Sequence, residues 1–395
     1  MSASMVSFRS DCDNDYAVDR GSFEKINKQN HRPSYRRSSS PGSVNGIHKR
    51  RTSRWTWGHG RGARMENVRA FARCVVMAVA GVCASSALAG PISIETVMVG
   101  EAGNAANPSA PANVAANGGG KVDYLFEIGK YEVTNAQYAQ FLDSVASISD
   151  PNNLYSASMQ IARSGSAGSF SYAPTGSNAN KPVQFVSFAD TFRFANWLHN
   201  GMPSGTQTAA TTENGSYNMA LSQPTRQAGA KYWIPGMSEW YKAAFYNPTL
   251  NGGLGGYDKY PTSSNTLTAS APPGGSTSAN FNNVVGTTTD VGSYSSTTSA
   301  FGAYDMAGNL AERLDTATST GYFHAVSAWS NAALRADSTS SAAFAAATIS
   351  GENNATGFRI AAVPEPSTIA LTGTGVVSLL IGWRRKQLKA RRLQA

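Results

Sequence analysis

Apolar residues recur at helical spacing in three segments near the middle of the chain. The first segment begins after Thr134, which forms a capping box with Gln137, a pairing typical of helix N-termini. Its apolar residues follow the i, i+3, i+4, i+7 spacing of one helix face: Tyr138, Phe141, Leu142 and Val145. This spacing predicts a helix with one buried face.

Two further segments have similar start and stop signals. Ser187 and Asp190 form a second capping box, and Gly201 marks the end of the helix that follows. A third helix is predicted to begin at Ser238 and to stop before Pro248.

Five short apolar segments have the length and composition of strands: 97–99, 124–128, 182–186, 231–234 and 358–362. Between the elements lie long segments rich in Ser, Thr, Gly and Asn: 149–181, 200–230 and 247–300. Loops of that length in a compact domain are usually functional or poorly ordered. We therefore predict a single α+β domain over residues 90–362 that is irregular and rich in coil.

The basic charge of the chain is confined to its two ends. The formal net charge is +9, yet residues 90–363 contain 12 Lys and Arg against 17 Asp and Glu. Residues 1–89 contain 15 basic against 6 acidic side chains, and residues 364–395 contain 6 against 1. Because the globular part is acidic and has no basic patch interleaved with aromatic residues, we expect no nucleic-acid partner.

The N-terminal part has the layout of an export signal that begins late. Residues 1–64 are polar and lack apolar periodicity, so we predict a disordered or spurious upstream extension. From Met65, two arginines precede an apolar run, and Ala87 and Ala89 form an A-x-A cleavage signal. We predict that residues 65–89 are a signal peptide. The alternative is a real cytoplasmic arm ahead of an internal membrane anchor.

In the C-terminal part, Pro364, Glu365 and Pro366 precede an apolar stretch over 369–383 and an Arg-rich end. Residues 363–395 thereby resemble the PEP-CTERM sorting signal of Gram-negative bacteria. The resemblance implies cleavage by an exosortase-type protease and delivery to the outer envelope, cell surface or extracellular matrix. It also implies a transient membrane contact through the apolar helix. The alternative is a plain C-terminal anchor.

The block FGAYDMAGNLAE at residues 301–312 combines two glycines, two acids and an amide, which favours a tight turn around a polar centre. Asp305, Asn309 and Glu312 carry the hard oxygen donors that Ca²⁺ prefers. We therefore predict a calcium site. The alternative is a loop in which Asp305 and Asn309 bond only to their own backbone.

Seven blocks, in order along residues 92–362, resemble successive motifs of the formylglycine-generating enzyme (sulfatase-modifying factor) family. They are VMV at 97–99, IGKYEVTNAQY at 128–138, PVQFVSFAD at 182–190, WIP at 233–235 with EWYKAA at 239–244, VGS at 291–293, FGAYDMAGNLAE at 301–312 and GFR at 357–359. The resemblance implies a complex α+β fold, related to C-type lectins and poor in regular structure.

The resemblance implies less about activity. Oxidase members of the family bind copper through two cysteines near the end of the domain, but this chain has cysteine only at Cys12, Cys74 and Cys83. A Cu(I) centre needs soft ligands, so copper is not expected. His199 and His324 are the only histidines after residue 89 and are too few for the three-His iron site of related sulfoxide synthases.

In the family, the Asn and the Glu of the 301–312 block bind Ca²⁺, which falls on Asn309 and Glu312. A second ion uses an Asn that best matches Asn280. The resemblance thus implies calcium as cofactor. Arg359 is predicted to be structural, buried against a carboxylate or carbonyl groups.

Taken together, these patterns predict an exported, non-catalytic binding or structural module at the cell envelope. The ligand expected is an exopolysaccharide or an envelope protein. The alternative is an active formylglycine-generating enzyme or another metal-dependent oxidase of the same family.

Overall fold

The computed structural model describes residues 92–364. Its helices are α1 (Ala112–Ala115), α2 (Asn135–Val145), α3 (Phe188–His199), α4 (Met237–Phe245) and α5 (Leu250–Gly253), with 3-10 turns at Ala333–Ala336 and Ser341–Ala343. Its strands are β1 (Thr96–Val99), β2 (Phe126–Gly129), β3 (Ile161–Ser164), β4 (Ser171–Pro174), β5 (Tyr232–Trp233), β6 (Tyr246–Asn247), β7 (Gly256–Tyr257), β8 (Thr268–Ala269), β9 (Ser278–Ala279), β10 (Ala311–Ala317), β11 (Gly321–Ala325), β12 (Phe344–Thr348), β13 (Thr356–Gly357) and β14 (Ala361–Ala362).

The predicted α+β, coil-rich character is confirmed, since most strands are short and long turn-rich segments separate them. None of the helices in residues 92–364 is long and apolar enough to cross a bilayer. Some predictions lie outside the described residues. These are the upstream extension (1–64), the signal peptide (65–89) with Ala87 and Ala89, and Glu365 and Pro366 of the sorting motif.

The first four-stranded sheet joins the beginning of the domain to its end. Its order is β1-β2-β14-β5, and every neighbouring pair is antiparallel. Ile128 of β2 pairs with Val97 of β1 on one side and with Ala361 of β14 on the other. Ala361 in turn pairs with Trp233 of β5. The last strand, β14, therefore lies between β2, near the start of the domain, and β5, near its middle.

The second four-stranded sheet, of order β12-β11-β10-β13, positions the candidate site. Strands β10, β11 and β12 form an antiparallel meander in which Arg313 pairs with His324. Strand β13 runs parallel to β10 and pairs Gly357 with Glu312. The GFR segment at 357–359 is thereby placed beside the end of the 301–312 block.

One predicted strand, at residues 182–186, is wrong. Its only ladder contact in the described chain is a single bridge between Pro182 and Thr134. The N–H of Phe185 instead bonds to the carbonyl of Asn353 in a separate loop, at 3.0 Å. Phe185 also has φ 56°, in the left-handed region, which interrupts an extended strand. The apolar alternation here belongs to a connecting segment packed on the core.

The capping boxes that predicted α2 and α3 are both formed. Thr134 N–H donates to Gln137 Oε1 at 2.9 Å, and Gln137 N–H donates to Thr134 Oγ1 at 3.2 Å. Ser187 N–H donates to Asp190 Oδ2 at 2.7 Å, and Asp190 N–H donates to Ser187 Oγ at 3.2 Å. Each pair satisfies two N–H groups that a helix start would leave unbonded.

Helix α4 begins at Met237, one residue earlier than predicted from Ser238. The reason is Glu239, whose Oε2 accepts the N–H of Gly236 at 2.6 Å. A carboxylate at this third helical position stabilises the N-terminus, so the helix starts one residue earlier.

An aromatic cluster fixes α2 and α3 to the sheet that carries the site. Phe194 of α3 lies 5.3 Å, between ring centroids, from Phe141 of α2 and from Phe358 of the GFR segment. Tyr138 and Trp197 complete the cluster, and all five rings are buried. Because Phe358 is part of this core, the arginine that follows it has little freedom of position.

The capping carboxylate of α3 makes the stability of the fold depend on pH. Burial raises the pKa of Asp190 to about 7, although its hydrogen bonds to Ser187 partly oppose this. In the unfolded chain an aspartate titrates near pH ~4. The stabilisation due to this group is therefore full below about pH 4 and is lost as the pH rises through about 7.

We expect Asp190→Asn, which keeps an oxygen acceptor for the cap, to remove this dependence. Between pH 5 and pH 8 the wild-type free energy of unfolding should fall by about 2–4 kcal/mol more than that of the variant. Denaturant titrations at a series of pH values measure the difference. Asp123→Asn, at an exposed carboxylate, is the control. Parallel pH profiles for wild type and Asp190→Asn would contradict the prediction.

Candidate functional site

The 301–312 block is a tightly turned segment, as its composition predicts. Gly302, Asp305, Gly308 and Asn309 all have φ between 57° and 87°, in the left-handed region. Glycine reaches this region without strain, and Asn and Asp reach it more easily than other residues. The turns place the buried polar side chains of the block close to one another, directly before β10 begins.

Gly308 lies at a close approach between two loops. It forms an isolated parallel bridge with Asn280, and the N–H of Asn309 donates to the Asn280 carbonyl at 2.9 Å. A Cβ atom at Gly308 would fall well inside van der Waals contact with that carbonyl oxygen. Both φ and space therefore require glycine at this position.

Arg359 and Glu312 form the central ion pair of the site. Arg359 Nη2 lies 2.6 Å from Glu312 Oε1, and Nε lies 2.6 Å from Oε2, so the pair is bidentate. Arg359 is 0% exposed and Glu312 is 1% exposed. The remaining guanidinium N–H groups donate to the carbonyls of Gly129 and Tyr304, and Trp240 Nε1 donates to Glu312 Oε2 at 2.7 Å. The predicted structural role of Arg359 agrees with these contacts.

A second buried carboxylate, Glu132, holds the turn of the block. Asn309 Nδ2 donates to Glu132 Oε2 at 2.7 Å, and the Leu310 N–H donates to Oε1 at 3.0 Å. Asn309 Oδ1 in turn accepts the N–H of Thr289 at 3.0 Å. The amide of Asn309 therefore connects three segments that are far apart in the sequence.

Two buried carboxylates, Glu132 and Glu312, and the half-buried Asp305 lie around one guanidinium, so the centre has more acidic than basic groups. Burial raises the pKa of Glu132 well above its usual value, and the nearby charges of Asp305 and Glu312 raise it further. Burial also raises the pKa of Asp305 to about 6, against the opposing effect of a hydrogen bond from the Gly292 N–H. Arg359 lowers the pKa of both acids but does not offset their burial.

Three of the four residues predicted to bind Ca²⁺ are already hydrogen bonded through their oxygens: Glu312 to Arg359 and Trp240, Asn309 to Thr289, and Asp305 to Gly292. In contrast, Asn280 Oδ1 is buried and has no hydrogen-bond partner in the described chain, and neither does Thr288 Oγ1. Across residues 92–364, no three His, Cys, Asp or Glu side chains are grouped so as to hold a metal ion. Calcium binding stays a prediction, and of the four residues Asn280 is the one with a fully buried oxygen that has no hydrogen-bond partner among the described residues.

Glu132 is a site residue that the sequence reasoning missed. It belongs to the IGKYEVTNAQY block, yet nothing in its local pattern distinguishes a buried acid from an exposed one. The one sequence signal was its place in a short segment between the strand predicted at 124–128 and the helix cap at Thr134.

A separate buried network surrounds Arg226. Its Nε lies 2.8 Å from Asp315 Oδ2, its Nη2 lies 2.7 Å from Glu239 Oε2, and its guanidinium lies 4.8 Å from the Trp233 ring centroid. Tyr124 donates to Glu239 Oε1 at 2.6 Å. Glu239 is thus occupied by capping α4 and by this ion pair, which supports a structural role.

The two histidines lie on different elements. His199 ends α3, where its Nδ1 accepts the N–H of Lys231 at 3.1 Å. His324 lies on β11, where burial and the charges of Arg313 and Arg335 lower its pKa to about 4. Both are thus suited to the neutral form.

A family model described as a sulfatase-modifying factor enzyme 1-like domain matches residues 92–363, well over half of the chain. This range contains the whole site described above. The chain belongs to this family. A second model, described as a PEP-CTERM protein-sorting motif, matches residues 362–386. The sulfatase-modifying factor domain is therefore followed directly by an export signal, and the protein is an exported one. No curated protein matches the chain.

Solved structures similar to the sulfatase-modifying factor domain include that of CarF, with 20% identity, a TM-score of 0.44 and coverage of 69% of this chain and 99% of CarF. The Treponema denticola variable protein 1 has 18% identity and a TM-score of 0.39, over 61% of this chain and 85% of its own. PvdO from Pseudomonas aeruginosa has 18% identity and a TM-score of 0.36, over 61% and 82%.

We expect Gly308→Ala to destabilise the domain far more than Gly302→Ala. Both glycines have left-handed φ, which costs alanine about 1–2 kcal/mol at either position. Only at Gly308 does the new methyl collide with backbone, whereas at Gly302 the nearest atom is Val97 Cγ1 at 3.8 Å. The melting temperatures of the two variants measure the difference, and equal shifts would refute the proposed close approach at Gly308.

Removing Arg359 should leave buried carboxylates uncompensated. We expect Arg359→Met to lower the free energy of unfolding by about 3–5 kcal/mol. The double variant Arg359→Met with Glu312→Gln should regain part of this loss, because the charge of Glu312 is removed as well. Lys121→Met breaks an exposed pair with Asp123 and should cost less than about 1 kcal/mol. Guanidinium chloride titrations measure the free energy of unfolding of all three variants. A small loss for Arg359→Met would contradict the central role of the ion pair.

Proposed function

We propose that this chain is a non-catalytic module of the cell envelope or exopolysaccharide matrix, in which the sulfatase-modifying factor domain serves as a binding or structural unit. The observation that carries the proposal is the filled polar centre. The charged atoms of Arg359 and Glu312 are buried and bonded to the protein itself. A centre of this kind stabilises a fold and offers no reacting group to a substrate.

The distribution of cysteine supports the same proposal. Cys12, Cys74 and Cys83 all precede the matched domain, so residues 92–363 contain no thiol. A copper centre of the oxidase type needs soft ligands such as thiolates, and no residue of this domain supplies a thiolate.

A surface cleft offers a place for a ligand. It has a volume of about 310 Å³ and is lined by Tyr246, Tyr257, Asn107 and Asn251, with Leu254 at its rim. Ligand sites combine aromatic walls with a few fixed polar groups, and rings beside amides suit a neutral sugar. This cleft is our candidate for contact with exopolysaccharide, while an envelope protein is the other ligand considered.

The proposal includes a calcium ion bound beside Asn280. The unpartnered Asn280 Oδ1 and Thr288 Oγ1 are hard oxygen donors at the two buried ends of one loop, and backbone carbonyls of the loop would supply further ligands. An ion there would stabilise the loop rather than take part in chemistry.

Location follows from the sorting motif. The motif at 362–386 supports processing by an exosortase-type protease and delivery to the envelope or matrix of a Gram-negative bacterium. A binding or structural module at that location would act outside the cytoplasm.

Metal analysis and an activity assay on the mature exported protein test the proposal. We expect either calcium or no metal, and no conversion of cysteine to an aldehyde when the protein is incubated with copper and a Cys-containing sulfatase peptide. A cysteine-bearing oxidase of the family is the positive control. Aldehyde formation, or stoichiometric copper or iron, would favour the alternative, an active oxidase.

A second test of the proposal compares ligand binding by two variants at exposed leucines. Leu254 is 86% exposed at the rim of the cleft, and Leu221 is 51% exposed elsewhere. If an exopolysaccharide occupies the cleft, Leu254→Asp should weaken binding on a glycan array at least several-fold, and Leu221→Asp should leave it unchanged. Equal binding by both variants would remove the cleft from the proposal.

A further inference from the structure

The folded domain ends at one specific edge of the first sheet. Strand β14 ends at Ala362, and the N–H of Val363 still bonds to the carbonyl of Lys231 at 3.0 Å. The sorting motif begins at residue 362, so the described fold and the motif meet without a linker between them. The chain therefore leaves the domain at a fixed place.

Four exposed apolar residues lie at this same end of the sheet. We call Met98, Tyr124, Leu125 and Val363 the sheet-end patch; they are 45%, 48%, 51% and 45% exposed. The register explains why they meet, because the end of β1, the start of β2 and the end of β14 are aligned: Val99 pairs with Phe126, and Ala362 pairs with Glu127.

The strands that carry the patch are adjacent. Met98 lies on β1, Leu125 directly precedes β2 and Val363 directly follows β14, and these strands are neighbours about 5 Å apart from one to the next. Because side chains alternate along a strand, Met98 and Leu125 lie on one face of the sheet end and Tyr124 and Val363 on the other, so contact with the end itself reaches residues of both faces. Exposed apolar side chains gathered at one place on a surface usually mark a contact with another molecule or a membrane.

The length of the chain beyond Val363 limits what this end of the sheet can face. Five residues, 364–368, separate it from the apolar stretch at 369–383, and five residues span at most about 17 Å. While that stretch is held in a membrane, the end of the sheet must stay within that distance of it. The bilayer surface is then always within reach of the patch.

We propose that the sheet-end patch rests on the lipid bilayer, at headgroup level, until the sorting tail is cleaved. This inference rests on the proposed function in one respect, namely that the tail is held in the membrane before processing. Lys121, Asp123 and Lys231 flank the patch and are exposed, so charged groups of both signs remain hydrated around apolar tips. That combination matches the boundary between headgroups and acyl chains.

The mixed charges favour this contact over attraction to an anionic surface. Glu101, Asp123 and Glu127 lie near the same end as Lys121 and Lys231, so the region has no excess of positive charge. Shallow insertion of Met98 and Leu125 is therefore the main source of affinity. Cleavage of the tail removes the tether, and the patch then leaves the membrane.

The test uses the full chain in a host that lacks an exosortase-type protease, so that the tail is retained. With Cys12, Cys74 and Cys83 replaced by Ser, one cysteine is introduced as Leu125→Cys and carries an environment-sensitive fluorophore. The matched control is Ile148→Cys, because Ile148 is also 51% exposed but lies beside the β3–β4 hairpin. Membrane vesicles are then mixed with spin-labelled lipid or with iodide as quenchers.

We expect lipid quenching at residue 125 to exceed that at residue 148 at least threefold, with a blue-shifted emission at residue 125 alone. Equal, weak lipid quenching at both residues would overturn the proposal. Shielding of residue 125 from iodide without lipid quenching would also overturn it, since a protein would then cover the patch. In either case retention of the chain in the membrane fraction would leave the proposed exported module intact.

Discussion

The bidentate ion pair between Arg359 and Glu312 is the interaction on which the rest of the domain depends. Arg359 also donates to the Gly129 carbonyl at the end of β2 and to the Tyr304 carbonyl in the 301–312 block. One side chain thus joins both four-stranded sheets to the turned block between them. A buried charge pair is favourable only when its geometry is complete and its remaining polar atoms are bonded. Here Trp240 and two carbonyls complete it.

The ion pair also explains what holds the interior of the domain together. The centre of the 301–312 block is occupied by side chains that bond to each other, and Glu132 is held by the Asn309 amide and the Leu310 N–H. Stability therefore does not depend on a reacting group or on a thiol. The two proposed contacts, at the cleft beside Tyr257 and at the end of the first sheet, therefore lie on the surface of the domain.

Local sequence signals identified the three longest helices, α2, α3 and α4, and several strands. Capping boxes at Thr134 and Ser187 act within three residues, and the predicted helices begin where these boxes place them. The strand predicted at 182–186 is wrong because a strand and a connecting segment packed on the core can have the same apolar alternation. Only the left-handed φ of Phe185, which the sequence does not reveal, distinguishes them. The meander β10 to β12 was missed because small and polar residues predominate in it, as in Ala345, Ala346 and Ala347 of β12.

Family membership, the absence of thiols after residue 83 and the sorting motif can all be read from the chain alone, because each depends on which residues occur and in what order. The partners of the buried charges cannot be read in this way. Glu312 meets an arginine 47 positions away, and Leu310 meets a carboxylate 178 positions away. Folding brings these groups together, and no local pattern encodes such a pairing. The same holds for Met98, Leu125 and Val363, which become neighbours because three strands pair in one register.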